Sequence, residues 1–113
     1  MVGGLYEEKA AEWLRMRGWQ ILERNFRCRL GEIDLIAARE YVLAFVEVKY
    51  RLGTGHGFSQ EAVDRRKQQR IFKVAEYYLM RNPCAEQMVC RFDVAAFSEN
   101  GQLSYLEGAF GGL

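Results

Sequence analysis

Three residues near the middle of the chain have the types and spacing to do chemistry: Asp34, then Glu47 and Lys49 in the run Glu47-Val48-Lys49. Both segments that carry them are otherwise apolar. Gly31-Glu-Ile-Asp-Leu-Ile-Ala37 is followed by a break at Ala38-Arg39-Glu40, and then by Tyr41-Val-Leu-Ala-Phe-Val-Glu-Val-Lys-Tyr-Arg51. These read as two antiparallel strands joined by a tight turn. Side chains alternate across a strand, so Leu43, Phe45, Glu47, Lys49 and Arg51 share one face. Val42, Ala44, Val46, Val48 and Tyr50 share the other, and in the first run Glu32, Asp34 and Ile36 fall together. An unpaired charge on a half-buried strand is costly, so these groups need partners. Two carboxylates on adjacent strands can hold Mg²⁺ or Mn²⁺, hard cations that take carboxylate oxygens and keep several waters. Such an ion can polarise a phosphodiester and lower the pKa of a bound water. Lys49 lies about 7 Å along the same face from Glu47, where it can orient the attacking water or steady charge on the phosphate. The same residues also fit a plain ion pair between Glu47 and Lys49, with Asp34 accepting backbone hydrogen bonds in the turn.

The constellation resembles that of the PD-(D/E)xK nucleases. The longer words Gly31-Glu-Ile-Asp-Leu-Ile-Ala37 and Phe45-Val-Glu-Val-Lys-Tyr-Arg51 resemble the YraN family, which is grouped with the restriction-endonuclease-like superfamily. Val63 with Lys67 and Ile71, Ala75 with Tyr78-Leu79, and Arg91-Phe-Asp-Val94 continue the likeness over roughly Glu7 to Phe110. The resemblance implies an α/β fold with a restriction-endonuclease-like αβββαβ core, a mixed central sheet flanked by helices. It implies Asp34 and Glu47 as metal ligands, Lys49 as the catalytic lysine and Glu7 on the first helix as a third acidic group, direct or through water. Tyr6 stands where the family usually has glycine, which leaves Glu8 as the alternative to Glu7. The spacing is also similar to that of archaeal Holliday-junction resolvases, which act as dimers on branched DNA. That similarity implies a structured DNA substrate and a homodimer.

Composition bounds the remaining classes. At 113 residues, half of them hydrophobic and with one proline, the chain reads as a single folded domain over 1–113. No apolar run approaches the ~18 residues of a membrane span, and no signal peptide is visible at the start. Cys28, Cys84 and Cys90 lack CxxC spacing, so reduced thiols in the cytoplasm are expected and a zinc site is not. The net charge is only +1, so any nucleic-acid surface must be local.

Along the chain, Leu5 to Arg17 reads as a helix with Glu7 and Glu8 in its first turn, suited to the helix dipole, and Gly18 as its stop. Trp19 to Cys28 reads as an edge strand with Trp19, Ile21 and Leu22 inward and a basic margin of Arg24, Arg27 and Arg29. Leu52 to Phe58 is a glycine-rich loop containing His56, the one histidine, and is placed to act as a substrate flap. Ser59 is suited to cap a helix reaching Arg81, with Arg65, Arg66, Lys67 and Arg70 as a basic cluster. Arg51, Arg65, Arg66 and Lys67 are the candidates for contacting nucleic acid. Met88 to Phe97 reads as a strand in which Asp93 anchors a turn or pairs with Arg91. Asn100-Gly101 signals a hairpin into Leu103 to Leu106, leaving a glycine-rich tail held only at Ala109-Phe110. Two readings from other classes stand beside a DNA endonuclease: a nuclease-like fold that binds nucleic acid without cutting it, and an enzyme directed at RNA.

Overall fold

The structure is a computed structural model that describes residues 2–50 and 63–111, with side chains from residue 4 onward. The order is α1 (Val2–Met16), β1 (Gln20–Cys28), β2 (Gly31–Arg39), β3 (Val42–Tyr50), α2 (Arg65–Arg81), a 3₁₀ turn (Pro83–Gln87), β4 (Val89–Phe97) and β5 (Leu103–Phe110). The five strands lie in sequence order in one sheet. Three neighbouring pairs are antiparallel, and β3 runs parallel to β4. A parallel pair needs a crossover, which α2 supplies. This is the mixed α/β architecture expected from the sequence, compatible with a restriction-endonuclease-like core.

The alternation of β3 divides the molecule into two cores. Leu43 and Phe45 pack with Phe72, Val74 and Tyr78 of α2 and with Phe92. Ala44 and Val46 pack with Ala10, Ala11 and Leu14 of α1 and with Trp19. The α1 side uses small residues: Ala10, Ala11, Ala37, Ala44 and Ala95 are all fully buried. Missing bulk at these positions lets the helix axis approach the sheet closely while packing density is kept. Glu47 and Lys49 follow Leu43 and Phe45 by alternation, so β3 presents them on the α2 face.

Several boundaries differ from the sequence reading. Helix α1 begins at Val2, so Glu7 and Glu8 lie beyond its first turn and do not compensate the dipole there. It ends as expected, with Gly18 in the left-handed region at φ +87 and Trp19 N–H donating to Leu14 O at 3.0 Å. Leu22 is outward, because the β1–β2 register shifts between Ile21 and Glu23 and turns that residue away from the core. Helix α2 begins at Arg65, and its cap is Asp64, which accepts from Lys67 N–H at 2.8 Å. Strand β5 continues through Glu107 to Phe110, whose ring stacks on Phe92 at 5.4 Å. The expectations for Arg51, His56, the glycine-rich loop and Ser59 lie outside the described residues. Among the described residues, no helix is long and apolar enough to cross a membrane, and Cys28, Cys84 and Cys90 are free thiols.

Candidate active site

The site begins where the β2–β3 ladder ends. Pairing runs from Arg39↔Val42 to Leu35↔Val46 and goes no further. Beyond that step the strands part, and the Val48 N–H loses its ladder acceptor. Asp34 replaces it: its Oδ2 accepts from Val48 N–H at 2.7 Å. A side chain thus does the work of a backbone carbonyl at the fork, and a half-buried donor is kept satisfied.

Strand β2 bends at the same place. Leu35 and Ala37 belong to the α1 core, yet Ile33 joins Ile36 in the α2 core, so strict alternation fails across Asp34. The neighbouring strand bends with it. Asn25 lies between the partners of Leu35 and Ile33 and adopts φ +50. Asparagine tolerates this left-handed conformation better than most residues. Asn25 therefore serves a bend in mid-strand.

Two carboxyls meet at the fork. Glu47 is buried at 4% exposure. Asp34 is pushed up to about 8, first by burial, then by the charge and hydrogen bonding of Glu47. The Val48 N–H opposes this shift, and the more distant Glu7 charge adds to it. Two carboxylates this close cannot both be ionised cheaply without a cation between them. Lys67, reaching down from α2, makes a salt bridge to Glu47. Burial alone would lower its pKa, but the hydrogen bond and charge of Glu47, with the charges of Asp34 and Glu32, together hold it raised.

The acids face a cleft of about 580 Å³ lined also by Arg27, Cys28, Lys67 and Arg70. Arg27 donates to Glu32 at 3.0 Å. Lys49 is half-buried, and its charge acts on Asp64 at the start of α2. Asp34, Glu47 and Lys67 are brought together, with Lys49 further along the same strand face. Glu7 is half-buried and influences Asp34, whereas Glu8 is exposed and paired with Arg24 and Arg15. Among the described residues, no three His, Cys, Asp or Glu side chains gather closely enough to hold a metal, so Glu7 stands outside the acid pair.

Arg65 and Arg66 are exposed on the first turn of α2 and do not line the cleft. Arg70 does, and the sequence held the clue: it follows Lys67 by three residues and Ile71 follows by four, so the three share a helix face. A larger hollow of about 710 Å³ runs along β1 past Trp19 and Arg24. It contains no acid pair.

Asp93 lies on the opposite face of the sheet, opposite Val46 in the register. It is fully buried and accepts from Arg91 Nε at 2.9 Å, Tyr105 Oη at 2.7 Å and Gly108 N–H at 2.8 Å. Gly108 has φ +58 and sits in the β4–β5 register shift. The pairing with Arg91 is one of the two roles, beside anchoring a turn, that the sequence left open for Asp93.

Comparison with known proteins follows the same stretch of chain. The family model described as "Uncharacterised protein family UPF0102" matches residues 6–97, and this is the YraN family resembled by the sequence. A UPF0102 protein of Lachnoclostridium phytofermentans is 46% identical over 110 residues, covering 96% of this chain and 92% of that protein. A UPF0102 protein of Aeromonas hydrophila is 44% identical, covering 96% and 83%. One of Persephonella marina is 40% identical, covering 92% and 88%.

Proposed function

For this chain, which belongs to the uncharacterised protein family UPF0102, we propose a divalent-metal-dependent endonuclease that hydrolyses DNA phosphodiester bonds, with branched or structured DNA as substrate. One observation carries the reading: Asp34 and Glu47 press two carboxyls together at the fork of β2 and β3, facing an open cleft. The donor set fits a hard cation such as Mg²⁺ or Mn²⁺. Two carboxylates supply part of a coordination sphere, and an ion of this kind ordinarily completes it with water and substrate phosphate. Held there, the cation would polarise the phosphodiester and offset its charge.

The remaining work falls to the chain itself. The Val48 N–H fixes one Asp34 oxygen and leaves the other for the cleft. Lys49, on the Glu47 face of β3, orients the attacking water or steadies charge on the phosphate. Arg27 and Arg70 at the cleft wall meet the sugar-phosphate backbone. Glu7 adds negative charge from α1, through water rather than by direct ligation.

The test is cleavage of single-stranded, duplex and four-way-junction DNA, and of matched RNA, in Mg²⁺ and in Mn²⁺. Cleavage of DNA alone, strongest on the junction, supports the proposal. Cleavage of RNA in preference moves the enzyme to the other sugar. Binding without cleavage in either metal supports a second reading, a nucleic-acid-binding module. The Lys67–Glu47 salt bridge favours that alternative, because it neutralises Glu47 without any metal.

A further inference from the structure

We propose that Lys67 is the resident counter-ion of the acid pair, that a divalent cation binds by displacing its ammonium from Glu47, and that the freed ammonium then meets a backbone phosphate. The inference rests on reading Asp34 and Glu47 as a metal site, and it assigns Lys67 a second position within that site.

The two ends of Lys67 are held differently. Its backbone is fixed, because its own N–H donates to the Asp64 cap at 2.8 Å. Its side chain remains 43% exposed although Glu47 is only 4% exposed. The ammonium therefore has a route to solvent that Glu47 lacks, and it can leave without disturbing α2. Lys67 lies on the helix face of Arg70, and both line the cleft with Arg27. Once displaced, it joins those guanidiniums where a phosphate backbone would pass. One event thus changes both halves of the site: the acids exchange an internal cation for an external one, and the cleft wall gains a free positive charge. Because binding couplings are reciprocal, nucleic acid that engages Lys67 must tighten the metal by the same factor.

Mg²⁺ titration by calorimetry at pH 8.5 compares the wild type, Lys67→Met and Glu47→Gln. Lys67→Met is expected to bind Mg²⁺ about tenfold more tightly, since no ion pair must be broken first. Glu47→Gln is expected to show no binding. Equal or weaker binding by Lys67→Met, with the wild type still binding, overturns the counter-ion role and leaves the metal site standing. No binding by any of the three overturns both. Acetic anhydride labelling of the wild type tests displacement without a variant. Lys67 should react several-fold faster with Mg²⁺ present while Lys9 and Lys73 do not change; an unaltered Lys67 rate overturns the proposal.

Discussion

Asp34 completes the backbone of β3 by accepting the Val48 N–H at 2.7 Å, one step past the last β2–β3 pair. This bond ties the β2 acid to the β3 backbone at the residue next to Glu47. The placement is costly, because burial and the neighbouring charge of Glu47 both raise the Asp34 carboxyl well above its ordinary value. A structural ion pair would gain little from this second acid. A cation site needs both.

The repulsion has a consequence for stability. Asp34 rises from 3.8 to about 8 in the folded protein, so between those values the folded state holds a proton that the unfolded chain has released. Stability therefore falls as pH rises through that window, by up to about 1.4 kcal/mol per pH unit. Urea denaturation of metal-free wild type and Asp34→Asn at several pH values should show this loss in the wild type alone. Parallel pH profiles for the two proteins would refute it.

Lys49 and Lys67 should separate by readout. Lys49→Met removes a charge from the Glu47 face of β3 but not the Lys67 salt bridge to Glu47, so on the proposed function Mg²⁺ affinity should stay within about twofold. Single-turnover cleavage should fall by roughly 10² or more. Unchanged turnover would make Lys49 a structural residue of β3.

Arg27 and Arg70 line the cleft, whereas Arg65 and Arg66 stand on the outer first turn of α2. Arg70→Glu and Arg27→Glu should each reduce the salt slope of DNA binding by about 1. Arg65→Glu and Arg66→Glu should reduce it less. Equal slopes for all four variants would mean that the cleft does not select the path of the backbone.

Asp93 tests the scaffold rather than the site. Asp93→Ala removes the fully buried carboxylate shared by Arg91 Nε, the Tyr105 hydroxyl and the Gly108 N–H, and leaves Arg91 only its salt bridge to Glu107 at 3.1 Å. A loss of about 3–5 kcal/mol is expected in denaturant unfolding. A loss below about 1 kcal/mol would mean that water readily replaces the carboxylate.

The legible part of this fold was the part governed by local period. Alternation from Leu43 to Lys49 placed Glu47 and Lys49 on one face of β3, and Gly18 ended α1 where its φ requires. Alternation failed for β2, where the bend at Asp34 and the left-handed Asn25 break the period of two. No residue type announces such a bend, because asparagine in a strand reads first as a turn. The partner of Glu47 was equally hidden. Lys49 is two residues away in sequence, yet the ion pair goes to Lys67 on another element, and only the crossover of α2 brings it there. Helix α2 drew its cap from Asp64, one residue from its start, while Ser59 offered the same chemistry five residues earlier.

The most direct measurement is anomalous diffraction from crystals of the wild type soaked in Mn²⁺. One strong peak within bonding distance of both Asp34 and Glu47, with the Lys67 ammonium withdrawn from Glu47, is the expected result. Saturating Mn²⁺ with no peak at the fork, and Lys67 still bound to Glu47, would contradict the account.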